Sequence, residues 1–129
     1  MKKIIETSEA PAAIGTYSQA TRHGNLVFLS GQIGLDPSSM ELVPGGVEAE
    51  IRQVLVNLEA VCRAAGASLN EVLKLTVYLA DMGDFPTVNR VMGEYFTKPY
   101  PARAAIGVAA LPRGAAVEMD AILAADEGY

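Results

Sequence analysis

Two stretches of the sequence carry apolar residues at the spacing of a helix. Between residues 47 and 65 an apolar side chain recurs every three or four positions, with charged residues between them. Gly66 follows, as is common after the last turn of a helix. A second stripe follows Asp84, a candidate N-cap, with Pro86 in its first turn. The pattern predicts two amphipathic helices. We expect their buried residues to be Val47, Ile51, Val54, Leu55, Leu58, Val61, Cys62 and Ala65 in the first, and Phe85, Val88, Met92, Tyr95 and Phe96 in the second.

The helical spacing assigns opposite environments to two asparagines. Asn57 lies among the charged residues on the outer side of the first helix. Asn89 lies one turn after Phe85 and so joins the apolar side of the second helix. A buried amide needs hydrogen-bonding partners. Asn89 is therefore expected either to bind a ligand or to hold local structure.

The other apolar runs are short and bounded by turn residues, as strands are. They cover residues 3–6, 16–22, 26–34 and 72–79. The turn His23-Gly24-Asn25 predicts a hairpin between the second and third runs, and the run 72–79 is apolar on both faces, as a central strand would be. Ser30-Gly31-Gln32 falls within the third run, where glycine either lets the backbone approach a ligand or bends the strand. Ser30 and Gly31 are therefore candidate pocket residues.

Residues 99–123 predict a second hairpin. Two runs of small and β-branched residues flank Leu111-Pro112-Arg113-Gly114, in which proline fixes φ and glycine permits positive φ. If these four residues form the turn, Ala110 lies opposite Ala115. That register places several candidate site residues on one face of the hairpin. They are Arg103, Ala105, Gly107, Glu118 and Asp120.

Arg103 would project from this hairpin over a floor of small side chains. A planar guanidinium with several donors can hold a carboxylate through two parallel hydrogen bonds. The hairpin therefore predicts a shallow anion site around Arg103. The alternative is an ordinary surface ion pair between Arg103 and Glu118 or Asp120.

The order β, β, β, α, β, α, β, β predicts an α+β fold, with a single mixed sheet of about six strands and two helices on one face. With 129 residues, the chain is expected to form one domain over residues 1–129. Several strands are apolar on both faces, so we expect a homo-oligomer to cover the free face of the sheet. Clefts between subunits would then be the natural ligand sites.

Composition and charge argue against several classes of function. The formal net charge is −5 and the ten basic residues are scattered, so a nucleic-acid partner is not expected. We find neither a signal-peptide core nor an apolar run that could span a bilayer, which predicts a cytoplasmic protein with no membrane partner. Cys62 is the only cysteine and His23 the only histidine. An internal disulfide is thus impossible, and no metal site or cofactor is expected.

Five separate motifs follow one another along the chain. They are Ala10-Pro-Ala-Ala-Ile-Gly-Thr-Tyr17-Ser-Gln-Ala, Ser30-Gly31-Gln32, Asp84-Phe-Pro-Thr-Val-Asn89, Pro101-Ala-Arg103 and Val117-Glu118. Together they resemble, nearly from end to end, the Rid (YjgF-type) family of reactive-intermediate deaminases, and its RidA branch above all. The resemblance implies a chorismate-mutase-like fold, a homotrimer and three clefts at the subunit interfaces.

The resemblance also implies a reaction and a set of site residues. The reaction is hydrolysis of 2-imino acids, reached from enamines such as 2-aminoacrylate, to 2-keto acids and ammonia. Arg103 would hold the substrate carboxylate, and Glu118 would orient or deprotonate the attacking water. The side chains of Tyr17, Ser30 and Asn89 would be further pocket groups. The backbone around Gly31 and Ala105 would contribute additional hydrogen bonds. Many family members have cysteine where this chain has Ala105, so a thiol can have no role there.

Three other functions remain open at this stage. Some relatives are described as endoribonucleases or translation inhibitors, although the acidic charge counts against RNA binding. The same cleft could serve a non-catalytic 2-keto-acid binding module. The third is a deaminase restricted to one pathway, for example one that acts on aminomuconate-like compounds. It remains open because a fold and one arginine do not determine which substrate is bound.

Overall fold

The computed structural model describes residues 1–126, which form one six-stranded sheet and two helices. In chain order the elements are β1 (Lys3–Ile5), β2 (Ala20–His23), β3 (Leu26–Gln32), α1 (Val47–Ala64), β4 (Val72–Leu79), α2 (Phe85–Tyr95), β5 (Ala102–Gly107) and β6 (Val117–Ala124). The strands lie in the order β1-β2-β3-β6-β4-β5. Every neighbouring pair is antiparallel except β4 and β5, which are parallel. The predicted α+β class with one mixed sheet is confirmed.

The predicted hairpin of residues 99–123 is wrong, because β4 lies between β5 and β6. Parallel strands need a long crossover, and α2 supplies it between β4 and β5. The segment 108–116 then passes over the end of β4, where Val108 N donates to Leu79 O and Ala80 N donates to Ala116 O. The turn at Pro112–Gly114 exists, but it joins strands that are not paired. Ala110 and Ala115 therefore do not form a cross-strand pair.

The first predicted hairpin is confirmed, with β2 and β3 antiparallel and His23 opposite Leu26. Its first strand is shorter than predicted and begins at Ala20. Residues 12–18 instead form a loop, which is held by the buried side chain of Gln19 through bonds to the backbone of residues 7–11. This loop carries Tyr17 to the surface of the molecule.

The core lies between the sheet and the helices. In α1 the predicted apolar stripe is buried apart from half-buried Val47, and Gly66 follows with φ of 86°. The prediction for Asn57 is wrong, because its side chain is fully buried. Its amide nitrogen donates to the carbonyls of Ile33 and Leu35, and its oxygen accepts from Gln53. Those bonds hold the segment that follows β3. They also replace the hydrogen bonds to water that the buried amide has lost.

One face of the sheet packs against the helices, and the other face has no helix over it among residues 1–126. That free face exposes large apolar side chains, and strand β4 buries alternate residues from Leu75 to Leu79. The exposed apolar residues on it include Ile4, Leu26, Phe28 and Ile106. A covering partner subunit stays a prediction. Neither α1 nor α2 is both long and apolar enough for a membrane span, as judged over the described part of the chain.

Candidate active site in two halves

Arg103 lies on the edge strand β5, and its side chain extends toward α2. Its Nη1 donates to Asn89 Oδ1 at 2.9 Å and contacts Met92 Sδ at 3.6 Å. The guanidinium carbon lies 4.9 Å from the centroid of the Phe85 ring, which is a cation–π distance. We call Arg103, Asn89, Met92 and Phe85 the Arg103 half-site. Within residues 1–126, Nε and Nη2 of Arg103 make no hydrogen bond, so the guanidinium is oriented but keeps donors for an anion.

A cavity of about 340 Å³ opens beside this guanidinium. Its lining residues are Asn89, Met92, Gly93, Phe96, Tyr100, Pro101 and Arg103. The prediction that Asn89 joins the buried side of its helix is wrong, because the residue is exposed. It instead faces β5 and accepts a bond from Arg103, which leaves the core to Val88, Val91 and Met92.

Glu118 lies on β6 and borders a second cavity of about 320 Å³. The lining residues are Pro11, Ala12, Ile14, Tyr17, Gly31, Gln32, Ile33, Leu35, Met40, Pro112, Arg113 and Glu118. We call Glu118, Gly31, Tyr17 and Arg113 the Glu118 half-site. Burial, and secondarily the negative charge of Asp120, raises the pKa of the Glu118 carboxyl. A carboxylate with a raised pKa in a mostly apolar cavity is suited to accept a proton.

Gly31 gives the Glu118 carboxylate the space it occupies. A side-chain carbon at position 31 would overlap Glu118 Oε2 and lie 3.0 Å from its Cδ. The pairing of β3 with β6 shifts register between Leu29 and Gln32, so the expected bend is a β-bulge at this glycine. The bulge and the absence of a Cβ together let the carboxylate lie against the backbone of β3.

Two of the predicted site residues line neither cavity. Ser30 is half-buried, and its hydroxyl donates to Ser18 O while its N–H donates to Gln19 O. It therefore ties β3 to the loop that carries Tyr17. The side chain of Ala105 packs against the core. Any contact of either residue with a ligand stays a prediction.

Arg103 and Glu118 lie on opposite faces of the sheet, which overturns the predicted shared face. Leu75 on β4 is level with Arg103 on one side and with Ala121 on the other. Tyr78 is level with Glu118, and because it is three residues from Leu75 it faces the other way. The alternative of a surface ion pair is also wrong, since Arg103 pairs with no carboxylate among the described residues.

Sequence reasoning missed the groups that surround the two charged residues. Phe85 was expected in the core, but it is half-buried and stacks on Arg103. Arg113 was seen only as a turn residue, yet its Nη1 donates to Met40 O at 2.7 Å at the rim of the Glu118 cavity. Both Arg113 and Met40 have φ of 60°, a left-handed conformation that costs free energy outside glycine. The Leu-Pro-Arg-Gly turn was the only signal in the sequence for this contact.

Neither half-site contains a metal-binding cluster. Over residues 1–126, no group of three or more His, Cys, Asp or Glu side chains is placed to hold a metal ion. Cys62 is buried in the core, and burial raises the pKa of its thiol to about 12. Its burial agrees with the apolar stripe predicted for the first helix, and a thiol that stays protonated is a poor nucleophile.

Comparison with known proteins places the chain in a family. The family model described as endoribonuclease L-PSP matches residues 7–125. The mouse 2-iminobutanoate/2-iminopropanoate deaminase is 56% identical over 122 residues, which is 95% of this chain and 90% of the mouse protein.

Two solved structures share the fold. RidA from an Antarctic Psychrobacter superposes with a TM-score of 0.91 at 52% identity, over 95% of this chain and 98% of that one. E. coli TdcF with bound serine superposes with a TM-score of 0.89 at 40% identity and the same two coverages. The chain therefore belongs to the endoribonuclease L-PSP family, which is also called the Rid or YjgF family.

Proposed function

We propose that the protein hydrolyses 2-imino acids to 2-keto acids and ammonia in a cleft between two copies of the chain. In that cleft the Arg103 half-site of one subunit faces the Glu118 half-site of its neighbour. The observation that carries the proposal is the placement of the two charged groups on opposite faces of one sheet. A single chain cannot bring both to one small molecule, whereas two chains can.

The relatives favour this chemistry over the alternatives. Deaminases of mouse and human, 56% and 48% identical to this chain, are named for 2-iminobutanoate and 2-iminopropanoate. The structure of TdcF contains serine, a small molecule with an α-carboxylate. The net charge of −5 counts against RNA as the substrate, in spite of the family's name.

Arg103 binds the substrate through its carboxylate. The Asn89 bond and the Phe85 ring hold the guanidinium, so its Nε and Nη2 can donate two parallel bonds to the carboxylate. Two bonds fix the plane of the substrate, and with it the position of the imine carbon. Because this orientation is built before the substrate arrives, little entropy is lost at the reaction step.

Glu118 acts as the general base. It takes a proton from water as the oxygen attacks the imine carbon, and it passes that proton to the imine nitrogen, which becomes an amine. In the resulting tetrahedral intermediate Glu118 takes the proton of the new hydroxyl and delivers it to the amine, so that the C–N bond breaks, ammonia leaves and the C=O bond of the keto acid forms. An imine carbon is already electrophilic, so the enzyme contributes mainly positioning and proton transfer.

A coupled assay tests the proposed reaction. A pyridoxal-phosphate dehydratase generates 2-aminoacrylate from serine, and pyruvate formation is followed with and without this protein. We expect acceleration by the wild type and a loss of about 100-fold or more with Arg103→Ala. Arg63→Ala is the matched control, because Arg63 is an exposed arginine of α1 whose partner is Glu59. Acceleration by Arg103→Ala equal to the wild type would contradict the proposal.

A further inference from the structure

On the free face of the sheet, Glu118 forms a polar cluster with Asp120 and Tyr78. Neither of these two residues lines the Arg103 cavity or the Glu118 cavity. Asp120 lies two residues farther along β6 and faces the same way, which places the two Cβ atoms about 7 Å apart. Tyr78 lies directly opposite Glu118 on β4. Its hydroxyl donates to Asp120 Oδ2 at 2.9 Å, so it is the neighbour of one carboxylate and the hydrogen-bond donor of the other.

The hydroxyl of Tyr78 restrains the Asp120 side chain on the face of the sheet that carries Glu118. A free aspartate beside a second, half-buried carboxylate would turn away, because like charges repel and water solvates a carboxylate well. The hydrogen bond to Tyr78 opposes that rotation. Consistent with this bond, the pKa of the Tyr78 hydroxyl is raised, chiefly by its hydrogen bond to Asp120.

We propose that Asp120 and Tyr78 are positioning residues that increase the proton affinity of Glu118. Tyr78 fixes the Asp120 carboxylate, and the charge of Asp120 makes Glu118 the stronger base. This inference rests on the proposed function, in which Glu118 is the base. Neither residue needs to touch the substrate.

The surroundings of Glu118 leave Asp120 as the main charge acting on it within one subunit. Strand β3 presents Gly31, which has no titratable group, and β4 presents Tyr78. The segment before β6 contributes Arg113, and the loop before β2 contributes Tyr17. Neither of these two bonds to Glu118 within residues 1–126. In the proposed cleft the positive charge of the partner subunit's Arg103 lowers the pKa of Glu118, and this contribution is the same in every variant considered below.

The pH profile of kcat/KM provides the test. Glu118 must be ionised to act as a base, so activity falls as the pH drops through its pKa. Burial and Asp120 raise that pKa, in that order. Asp120→Asn removes the second cause, so the acid limb should move to lower pH, and the plateau should fall by less than about tenfold as the base weakens. Glu9→Gln removes one negative charge from an exposed loop residue and should leave the profile where it is.

Tyr78→Phe tests the geometric part of the proposal and serves if Asp120→Asn does not fold. It should move the acid limb in the same direction by a smaller amount, because Asp120 can then turn into solvent. The double variant should shift no farther than Asp120→Asn alone. Titration of the carbon-13-labelled Glu118 carboxyl by NMR reports its pKa independently of turnover. That pKa should be highest in the wild type, lower in Tyr78→Phe and lowest in Asp120→Asn.

The outcome that overturns the inference is an acid limb, and a Glu118 titration, that coincide with the wild type in both Asp120→Asn and Tyr78→Phe. That result is distinct from failure of the proposed function. Full activity of Glu118→Gln would show that Glu118 is not the base. If Glu118→Gln is inactive but the acid limb does not move in Asp120→Asn and Tyr78→Phe, Glu118 remains the base. That result would exclude an influence of Asp120 and Tyr78 on its proton affinity.

Discussion

At the scale of single residues, the chemistry depends on side chains being held before a ligand arrives. Arg103 is held by an amide, a thioether and an aromatic ring, and Glu118 lies against a glycine. Glu118 is partly shielded from water by the apolar lining of its cavity, which strengthens its interactions, whereas Arg103 is exposed. The sequence motifs identify the charged residues, whereas their supports depend on contacts between distant parts of the chain.

Gly31→Ala should separate folding from catalysis. The new methyl group meets the end of a flexible side chain, so the Glu118 carboxylate can rotate away at little cost to stability. The base is then misplaced, and we expect a loss in kcat/KM of about 100-fold with a melting temperature close to that of the wild type. Addition of Gly31→Ala to Glu118→Gln should cause no further loss. Wild-type turnover by Gly31→Ala would show that the position of this carboxylate does not matter.

The sequence led to some residues of the two cavities but not to their arrangement. The motifs led to Tyr17, Gly31 and Glu118, which the structure brings to one cavity, and to Asn89 and Arg103, which it brings to another. The predicted hairpin put Arg103 and Glu118 together on one face, and the structure separates them. Periodicity specifies which residues of a strand share a face, but it does not specify which strands are neighbours.

At the scale of elements, the helices follow from local pattern and the sheet does not. The stripe of α1 is buried as its spacing predicts, and β2 and β3 pair across a short turn. The strand order depends on contacts that are distant in sequence: α2 carries the chain back so that β5 lies parallel to β4, and β6 then pairs on the other side of β4. A turn signal at residues 111–114 could not reveal that.

Arg22 links three elements and should matter for stability. Its buried guanidinium donates to the carbonyl of Ala65 at the end of α1 and to those of Ala125 and Asp126 after β6. Arg22→Met leaves these carbonyls without a donor, and we expect the free energy of unfolding to fall by about 2–4 kcal/mol in urea denaturation. Arg63→Met, at an exposed position of α1, should cost less than about 0.5 kcal/mol. Equal losses of unfolding free energy in the two variants would show that the buried hydrogen bonds of Arg22 stabilise the fold no more than the exposed Arg63 side chain does.

At the scale of the whole molecule, the two half-sites and the free apolar face point to the same kind of assembly. One subunit presents a cation on the helix side of its sheet and a base on the other side, and each lies beside its own cavity. Large apolar side chains on the free face would be covered by a second copy. The proposed cleft therefore joins catalysis to oligomerisation.

Complementation between two inactive variants tests the shared site most directly. Arg103→Ala and Glu118→Gln are each expected to be inactive alone, and native mass spectrometry establishes that the two chains have mixed after co-expression. A mixed oligomer contains clefts in which the intact Arg103 of one chain faces the intact Glu118 of the other. We therefore expect imine hydrolysis to return in the mixed oligomers. Mixed oligomers that remain as inactive as the two parents would contradict a site shared between subunits.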